Sequence, residues 1–353
     1  MRILSSFLGL RANAKHVRSF FKYGNMKKLM NFMLAYFEFR RHRVSLHSVP
    51  FILNIEPVNI CNLRCPLCPT GAGERGRPLD KMSLAEFKEL IDMLGDYLYE
   101  VNLYDFGEPL LNEDIALMVE YAKKKNIFTC IGTNATLLDD RISEAVVRSG
   151  LDHLSVSIDG LSRETYARYR VGGDFEEVIN NLKRVVDWKN RLKSPFPFIE
   201  WQFLVFKHNL HEVGRVKEFA RNLGADGVYI RSARSSADIS DRDGKSEYIL
   251  DRGERIRKAY PEEEIGGGRP CDFLYFTLTV NPGGSVSPCC LSYKKEYDFD
   301  NIFQGKITLW DIWNNHQFRA ARKIFRERRK SSEYDLICNS CRVVNDFIGS
   351  YGA

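Results

Sequence analysis

Strand-like and helix-like segments alternate between residues 51 and 232, and this alternation limits the possible folds more than any other feature of the chain. The predicted strands are 51–58, 100–107, 127–134, 153–160, 199–206 and 227–232, and the predicted helices are 83–95, 114–126, 141–150, 175–190 and 212–224. Such an order produces right-handed parallel β/α units. Six strands predict an α/β fold, either an open, partial (β/α)6 TIM-like barrel or a doubly wound flat sheet. In both folds, ligands bind at the carboxyl ends of the strands.

The first 50 residues are strongly basic. They contain ten Lys or Arg and a single acidic residue, Glu38, whereas the whole chain has a net charge of only +6. The apolar run 29–37 is about half of the ~20 residues that cross a bilayer, and no secretory cleavage pattern precedes it. We predict a basic amphipathic helical extension. It either packs on the main domain with a solvated basic face, or lies at an anionic membrane surface. We expect a cytoplasmic protein, peripheral at the inner face of the membrane in the second case, and no nucleic-acid partner, because no nucleic-acid-binding pattern is present.

Cysteines occur in two groups, with one left over. Three lie just after the first predicted strand, Cys130 stands alone, and five lie in the last quarter of the chain. Without an export signal, this usage indicates a reducing compartment and metal sites in place of a disulfide framework. The first group, Cys61, Cys65 and Cys68, has the spacing C-x3-C-x2-C. It offers three ligands to a centre that takes four, so one position stays open.

This loop, at the end of the first strand of a six-strand barrel, resembles the radical S-adenosylmethionine (radical SAM) superfamily. The resemblance implies that Cys61, Cys65 and Cys68 hold a 4Fe-4S cluster and that S-adenosylmethionine binds its fourth iron. An external reductant such as flavodoxin or ferredoxin would supply the electron that gives a 5′-deoxyadenosyl radical, which abstracts a hydrogen atom from the substrate. The alternative is a structural Cys3His zinc site, with His47 or His153 as the fourth ligand.

The stretch DFGEPLLN, residues 105–112, ends the second predicted strand and resembles the Gly-Glu-Pro motif of the same superfamily. The resemblance implies that Gly107 lets the backbone approach the methionine part of S-adenosylmethionine and that Glu108 accepts its ammonium group. Phe106 stands where a first glycine is common. Without the resemblance, the stretch is simply a turn.

Three further candidates end later strands or follow them. Asn134 lies in GTNATLL, which resembles the family's Thr-Asn-Gly stretch with Ala135 in place of glycine. Ser157 resembles a residue that contacts the ribose or carboxylate of the cosubstrate, and Asp159 is expected to cap the next turn. Arg170 resembles the arginine that pairs with the methionine carboxylate, which suits a planar guanidinium; a surface salt bridge is the alternative.

The cysteines of the last quarter resemble a SPASM or twitch auxiliary-cluster domain. After one cysteine comes a predicted β-hairpin with a Pro-Gly-Gly turn, and four residues lie between Gly284 and Cys289. The resemblance implies that a second 4Fe-4S cluster is held by Cys271, Cys289, Cys338 and Cys341. Structural zinc is the alternative, since four cysteines also suit that metal. The adjacent Cys290 is then either a buried, inert thiol or a hydrogen-atom donor, and the same two interpretations apply to Cys130.

We predict four segments: a helical extension over 1–50, the barrel over 51–235, a linker over 236–265, and a small hairpin-and-helix auxiliary domain over 266–353. The extension is shorter than the leader-binding domain that many peptide-modifying relatives carry. The sequence therefore favours oxidation or epimerisation of a carbohydrate-like or lipid-linked alcohol, a small-molecule or lipid-linked substrate. Radical modification of a peptide or protein is the alternative, and a non-catalytic iron–sulfur electron carrier is a remote one.

Overall fold

The computed structural model of the protein describes residues 14–233, 248–249, 269–304 and 308–350. The predicted linker over 236–265 therefore lies outside the described residues, apart from Tyr248 and Ile249. The four segment boundaries stay predictions.

The described strands form one nine-stranded sheet in the order β6-β5-β4-β3-β2-β1-β7-β8-β9. The strands are β1 (Ile52–Ile55), β2 (Glu100–Leu103), β3 (Phe128–Thr133), β4 (His153–Ser157), β5 (Phe198–Val205), β6 (Gly227–Ser232), β7 (Thr277–Val280), β8 (Ser285–Ser287) and β9 (Asp300–Asn301). Strands β1 to β6 pair in parallel in chain order, as the alternation predicted. Strands β6 and β9 are the two edges, so the partial barrel is not closed within the described residues.

The helices of the described residues are α1 (Ala14–Tyr23), α2 (Met26–Arg40), α3 (Leu84–Leu94), α4 (Ile115–Lys124), α5 (Asp140–Arg148), α6 (Arg163–Tyr169), α7 (Phe175–Arg191), α8 (Val216–Asn222), α9 (Phe273–Phe276), α10 (Leu309–Trp313), α11 (His316–Glu327) and α12 (Arg342–Gly349). Local signals explain where many of them begin. Helix α3, for example, starts at a capping box in which the Glu86 backbone amide donates to Ser83 Oγ at 3.2 Å and the Ser83 amide donates to Glu86 Oε2 at 2.7 Å. Helix α6 was not predicted.

The carboxyl-terminal hairpin extends the barrel sheet directly. Strand β7 lies parallel to β1, with Ile52 opposite Thr277, and β8 then pairs antiparallel with β7. The turn between β7 and β8 uses the predicted Pro-Gly-Gly stretch, where Gly283 and Gly284 have φ of +72° and +82°. Such φ values favour glycine. A Cβ on Gly284 would also stand 2.2 Å from the Phe303 ring, so the predicted turn chemistry is confirmed.

Helix α2 packs on the barrel, and its cations Lys27, Arg40 and Arg41 are exposed, as the predicted solvated basic face requires, whereas Lys28 is buried. The polar side chains of Lys28, Asn31 and Glu38 are buried against the protein, together with those of Phe32, Ala35 and Phe39. Apolar side chains such as Met30 and Met33 point outward and are 65% and 62% exposed. Among the described helices, none combines the length and apolar content that crossing a bilayer demands.

Candidate active site

The three cysteines of the loop after β1 lie at one buried patch near the carboxyl edge of the sheet. Cys61, Cys65 and Cys68 all pack with the apolar side chains of Leu63, Leu67, Tyr169, Phe206 and Ala233. Burial raises the pKa of each thiol, that of Cys68 to about 11, and the charges of Cys65 and Cys61 add to the rise at Cys68. Thiols in this setting stay protonated until a metal displaces the proton.

The donor set fits an iron–sulfur cluster. All nine cysteines are free thiols, and soft thiolates in an apolar shell are the ligands that such clusters take. Within the described part of the chain, no three His, Cys, Asp or Glu side chains are arranged to hold a single metal ion. Cys61, Cys65 and Cys68 would hold the first cluster.

Glu108 lies at the end of β2 and connects it to the end of β3. Its carboxylate accepts hydrogen bonds from Thr133 Oγ1 at 2.7 Å, from the Asn134 amide at 2.8 Å and from the Leu110 amide at 3.1 Å. The side chain is buried, and burial raises its pKa. A carboxylate has about four acceptor sites, so Glu108 can accept one more donor, as the expected ammonium contact requires.

Gly107 has a packing reason that the sequence did not reveal. A Cβ at this position would stand 1.8 Å from the carbonyl oxygen of Val58. The glycine therefore lets the loop after β2 cross directly over the start of the cysteine loop. The Phe106 carbonyl oxygen lies 3.9 Å from Cys68 Sγ in the same crossing.

Asn134 and Ser157 lie at the ends of neighbouring strands. Asn134 Nδ2 lies 3.8 Å from Cys61 Sγ and donates to Asn62 Oδ1 at 2.9 Å, so this residue touches the cysteine loop. Ser157 ends β4 and lies 3.4 Å from Gln202 Nε2 on β5 through its Oγ. Both positions are on the edge where the sequence predicted a cosubstrate.

Arg170 follows α6, and its guanidinium contacts two other side chains. Its Nε donates to Asp159 Oδ2 at 2.6 Å, and its Nη1 lies 3.9 Å from Cys65 Sγ. The predicted turn cap at Asp159 is wrong: this buried carboxylate accepts from the Leu204 amide on β5, while Ser162 caps α6. The alternative of a surface salt bridge for Arg170 is also wrong, because the Asp159 side chain is 0% exposed.

The second group of cysteines comes together from three distant stretches of chain. Cys271 precedes α9, Cys289 follows β8, and Cys338 and Cys341 flank the turn before α12. Burial raises the pKa of Cys289 well above its usual range, and the charges of Cys290, Cys271 and Cys338 raise it further. Burial likewise raises the pKa of Cys271 to about 12, with a contribution from Cys341. These four thiols would hold the auxiliary cluster.

Cys290 and Cys130 have different surroundings. Burial raises the pKa of the Cys290 thiol, and the charge of Asp105, which follows β2, raises it further. Cys130 is 1% exposed and packs with Tyr23 and Phe128. The placement of Cys130 favours its interpretation as an inert core residue.

A cavity of about 210 Å³ opens beside Cys61, between the cysteine loop and the carboxyl-terminal hairpin region. Its lining includes Glu56, Arg77, Phe106 and Tyr293. Glu56 and Arg77 were not among the residues predicted from the sequence to lie at the site. The position of Glu56 directly after β1 was an available signal, because ligands bind at that edge. Nothing local to Arg77 indicated its role.

Glu56 and Arg77 both have defined partners. Glu56 Oε1 accepts hydrogen bonds from the Phe106 and Gly107 amides at 3.1 and 3.0 Å, and burial raises its pKa to about 7. Arg77 donates to Ser287 Oγ at 2.9 Å and to the Asp298 carboxylate, and therefore ties the cysteine loop to the hairpin. The cavity thus has one carboxyl group able to hold or release a proton near neutral pH.

Comparisons with known proteins agree with this geometry. The family model "Radical SAM superfamily" matches residues 55–189, and the SPASM "Iron-sulfur cluster-binding domain" model matches residues 271–342. An AdoMet-dependent heme synthase of Methanosarcina barkeri is 29% identical over 188 residues, which are 53% of this chain and 52% of that protein. The chain thus matches only about half the length of that relative.

Two other similar proteins are matched over more of their length. A PqqA peptide cyclase of Gluconobacter oxydans is 25% identical over 295 residues, which are 77% of this chain and 78% of that protein. The crystal structure of Streptococcus suis SuiB bound to precursor peptide SuiA superposes with a TM-score of 0.60 and 18% identity. That superposition covers 91% of this chain and 80% of SuiB, and at this identity it shows a shared fold.

Proposed function

Because the chain is a radical SAM enzyme with a carboxyl-terminal SPASM domain, we propose that it modifies a peptide or protein by removing a hydrogen atom from a carbon of that substrate. The sequence alone favoured a carbohydrate-like or lipid-linked alcohol. The relatives support the alternative better, since a PqqA peptide cyclase aligns over more than three quarters of both chains.

The observation that carries the proposal is the cavity beside Cys61. It lies between the loop that would hold the first cluster and the hairpin region that includes Cys289. A volume of about 210 Å³ is smaller than the ~300–1,000 Å³ of a typical small-molecule site. It therefore suits one side chain of a longer substrate whose remainder stays outside.

The chain's own residues divide into holding and positioning roles. Cys61, Cys65 and Cys68 would hold the cluster, which together with S-adenosylmethionine supplies the one-electron chemistry for hydrogen-atom removal. Glu108 and Arg170 would orient the amino and carboxylate groups of S-adenosylmethionine, through the free acceptor site of Glu108 and the Nη atoms of Arg170.

Glu56 would accept the proton that a modification reaction releases, or donate the proton that such a reaction consumes. Its carboxyl group lines the cavity, and its pKa of about 7 lets both protonation states exist at neutral pH. The neighbouring carboxyl of Asp105 has its own pKa raised, by burial first and by the charge of Glu56 second. One proton held between the two carboxyl groups is therefore favoured over ionisation of both.

A lipid-linked alcohol is the second candidate substrate, and the exposed apolar face of α2 favours it, because such a face could bring the enzyme to a membrane. In an epimerisation, Cys290 would return a hydrogen atom to the substrate, and its thiyl radical would then take an electron from the external reductant and a proton. In an oxidation, a base such as Glu56 would take the hydroxyl proton, and the auxiliary cluster would take the second electron.

The test compares substrate classes. Anaerobically reconstituted protein is given S-adenosylmethionine and either flavodoxin or dithionite, with a pool of short synthetic peptides or with a panel of saccharides and polyprenyl-linked glycans. The proposal expects 5′-deoxyadenosine above the substrate-free level, and a mass change, with peptides only. If only the glycans increase the formation of 5′-deoxyadenosine, the second candidate substrate replaces the peptide. The Cys65→Ala variant is the control for radical chemistry.

A further inference from the structure

Helix α2 is held on the barrel in one fixed rotation. Lys28 Nζ donates to the Asn126 carbonyl oxygen at 2.7 Å, at the end of α4. Asn31 exchanges two hydrogen bonds with the backbone of Val49, both at 2.9 Å. Glu38 accepts from the Ser48 hydroxyl at 2.6 Å and from the His47 amide at 2.6 Å. These buried polar contacts determine which side of the helix faces away from the protein.

The outward side is apolar along almost its whole length. We call it the outer stripe, and it consists of Met26, Leu29, Met30, Met33, Leu34 and Phe37. Their spacing of three and four residues places them on one face. Exposure ranges from 36% at Leu29 to 71% at Met26. A surface helix normally turns polar residues outward. Helix α2 buries Phe32, Ala35 and Phe39 but also turns apolar residues outward, and a contiguous exposed patch of this kind marks an interaction site.

Exposed cations accompany the outer stripe; at its amino-terminal end Lys27 pairs with the exposed carboxylate of Asp96 at 2.6 Å. Arg40, Arg41 and Arg43 lie exposed at its carboxyl-terminal end, and the Arg41 guanidinium lies 5.4 Å from the centre of the Phe37 ring. The single acidic residue among the first 50 is Glu38, which is buried on the opposite side. The accessible surface of α2 therefore carries positive charge only.

We propose that the outer stripe lies in the interface of an anionic lipid bilayer, with Met30, Met33 and Phe37 at the boundary of the acyl chains and the arginines among the headgroups. An apolar face flanked by Lys and Arg is the pattern of helices that lie in the plane of a membrane surface, and each cation near such a surface adds attraction. Contact with a second copy is disfavoured, because Asp96, the carboxylate that pairs with α2 on its exposed side, is already bound to Lys27 and would not be available to these arginines in a twofold interface. The proposal does not depend on the reaction.

Sedimentation with vesicles tests the proposal on the full chain. Wild-type protein should sediment with vesicles of equal phosphatidylcholine and phosphatidylglycerol, and much less with phosphatidylcholine alone or at high salt. The triple variant Met30→Gln, Met33→Gln, Phe37→Gln should bind at least about tenfold more weakly, since three large apolar groups are lost. Its melting temperature should stay close to that of wild type, because these side chains are exposed. The matched control, Leu117→Gln, removes another exposed leucine, on α4, and should bind like wild type.

A second variant tests the charges separately. Arg40→Gln with Arg41→Gln should weaken binding to the anionic vesicles and reduce its salt dependence. Equal binding of wild type to neutral and anionic vesicles, or binding that the triple variant leaves unchanged, would overturn the proposal. The proposal would also be overturned by a different pair of results. These are that light scattering without lipid finds a dimer for wild type and a monomer for the triple variant, and that neither protein binds vesicles.

Discussion

The Nε of Arg170 donates to the fully buried Oδ2 of Asp159 at 2.6 Å, while the same guanidinium lies 3.9 Å from Cys65 Sγ. One arginine therefore connects the end of β4 to the loop that would hold a cluster. A change at this pair should therefore affect both the stability of the fold and the surroundings of Cys65.

The Asp159→Asn variant should lose stability, because it leaves the guanidinium of Arg170 buried without its counter-charge. Breaking a buried pair by removing one partner costs about 3–5 kcal/mol, and retention of the Leu204 hydrogen bond should keep this loss near the lower value. Guanidinium titration of the anaerobic protein measures it. The exposed Asp92, paired with Lys125, provides the control Asp92→Asn, which should be close to wild type. Equal stability of the two variants would contradict a structural role for the buried pair.

Glu108→Gln should weaken both the fold and the binding of S-adenosylmethionine. The new amide would turn a donor toward the Thr133 hydroxyl or the Asn134 amide, and an unsatisfied buried group costs about 1–3 kcal/mol. Calorimetry on cluster-loaded protein should show at least about tenfold weaker binding, the effect of losing one charge-assisted hydrogen bond. Glu113→Gln, at an exposed glutamate paired with Lys81, is the matched control. Unchanged affinity in Glu108→Gln would rule out the ammonium contact.

Glu56 should make stability depend on pH. Its pKa rises from 4.5 to about 7 on folding, so the folded state binds the proton more tightly. The stability that this provides is complete below pH 4.5 and is lost as the pH rises through 7.

Glu56→Gln tests this directly, because the side-chain oxygen that accepts from Phe106 and Gly107 remains. Its unfolding free energy, compared with that of wild type at pH 5.5 and pH 8, should fall less as the pH rises. Parallel profiles for the two proteins would show that Glu56 does not titrate in this range.

Variants of Cys289 and Cys290 should differ in the amount of iron that the protein binds. Cys289→Ala should reduce iron from about eight to about four per chain, because it would remove the proposed ligand of the auxiliary 4Fe-4S cluster. Cys290→Ala should keep about eight. Iron analysis after anaerobic reconstitution distinguishes them, and the reverse pattern would assign the ligand to Cys290.

Sequence reasoning found the elements that local patterns specify. The alternating strands and helices, the Pro-Gly-Gly turn and the capping box at Ser83 could all be predicted from the sequence, because each depends on neighbouring residues. The parallel pairing of Ile52 with Thr277 could not be predicted, since the two residues lie 225 positions apart and no local signal specifies such a partner. The role of Asp159 was missed for the same reason, because its partners Leu204 and Arg170 lie on other elements.

The orientation of α2 was also beyond sequence reasoning. Its apolar residues have helical spacing on more than one side, so periodicity could not decide which side faces the barrel. The hydrogen bonds of Lys28 and Asn31 to distant backbone atoms decide it.

The central claim is that Cys61, Cys65 and Cys68 hold a cluster that cleaves S-adenosylmethionine. The most direct measurement is 5′-deoxyadenosine formed after anaerobic reconstitution, with dithionite, S-adenosylmethionine and the peptide pool, in wild type, Cys65→Ala and the core control Cys130→Ala. We expect product from wild type and Cys130→Ala and none from Cys65→Ala. Equal product from all three, or a wild-type protein that binds zinc and no iron, would contradict the claim.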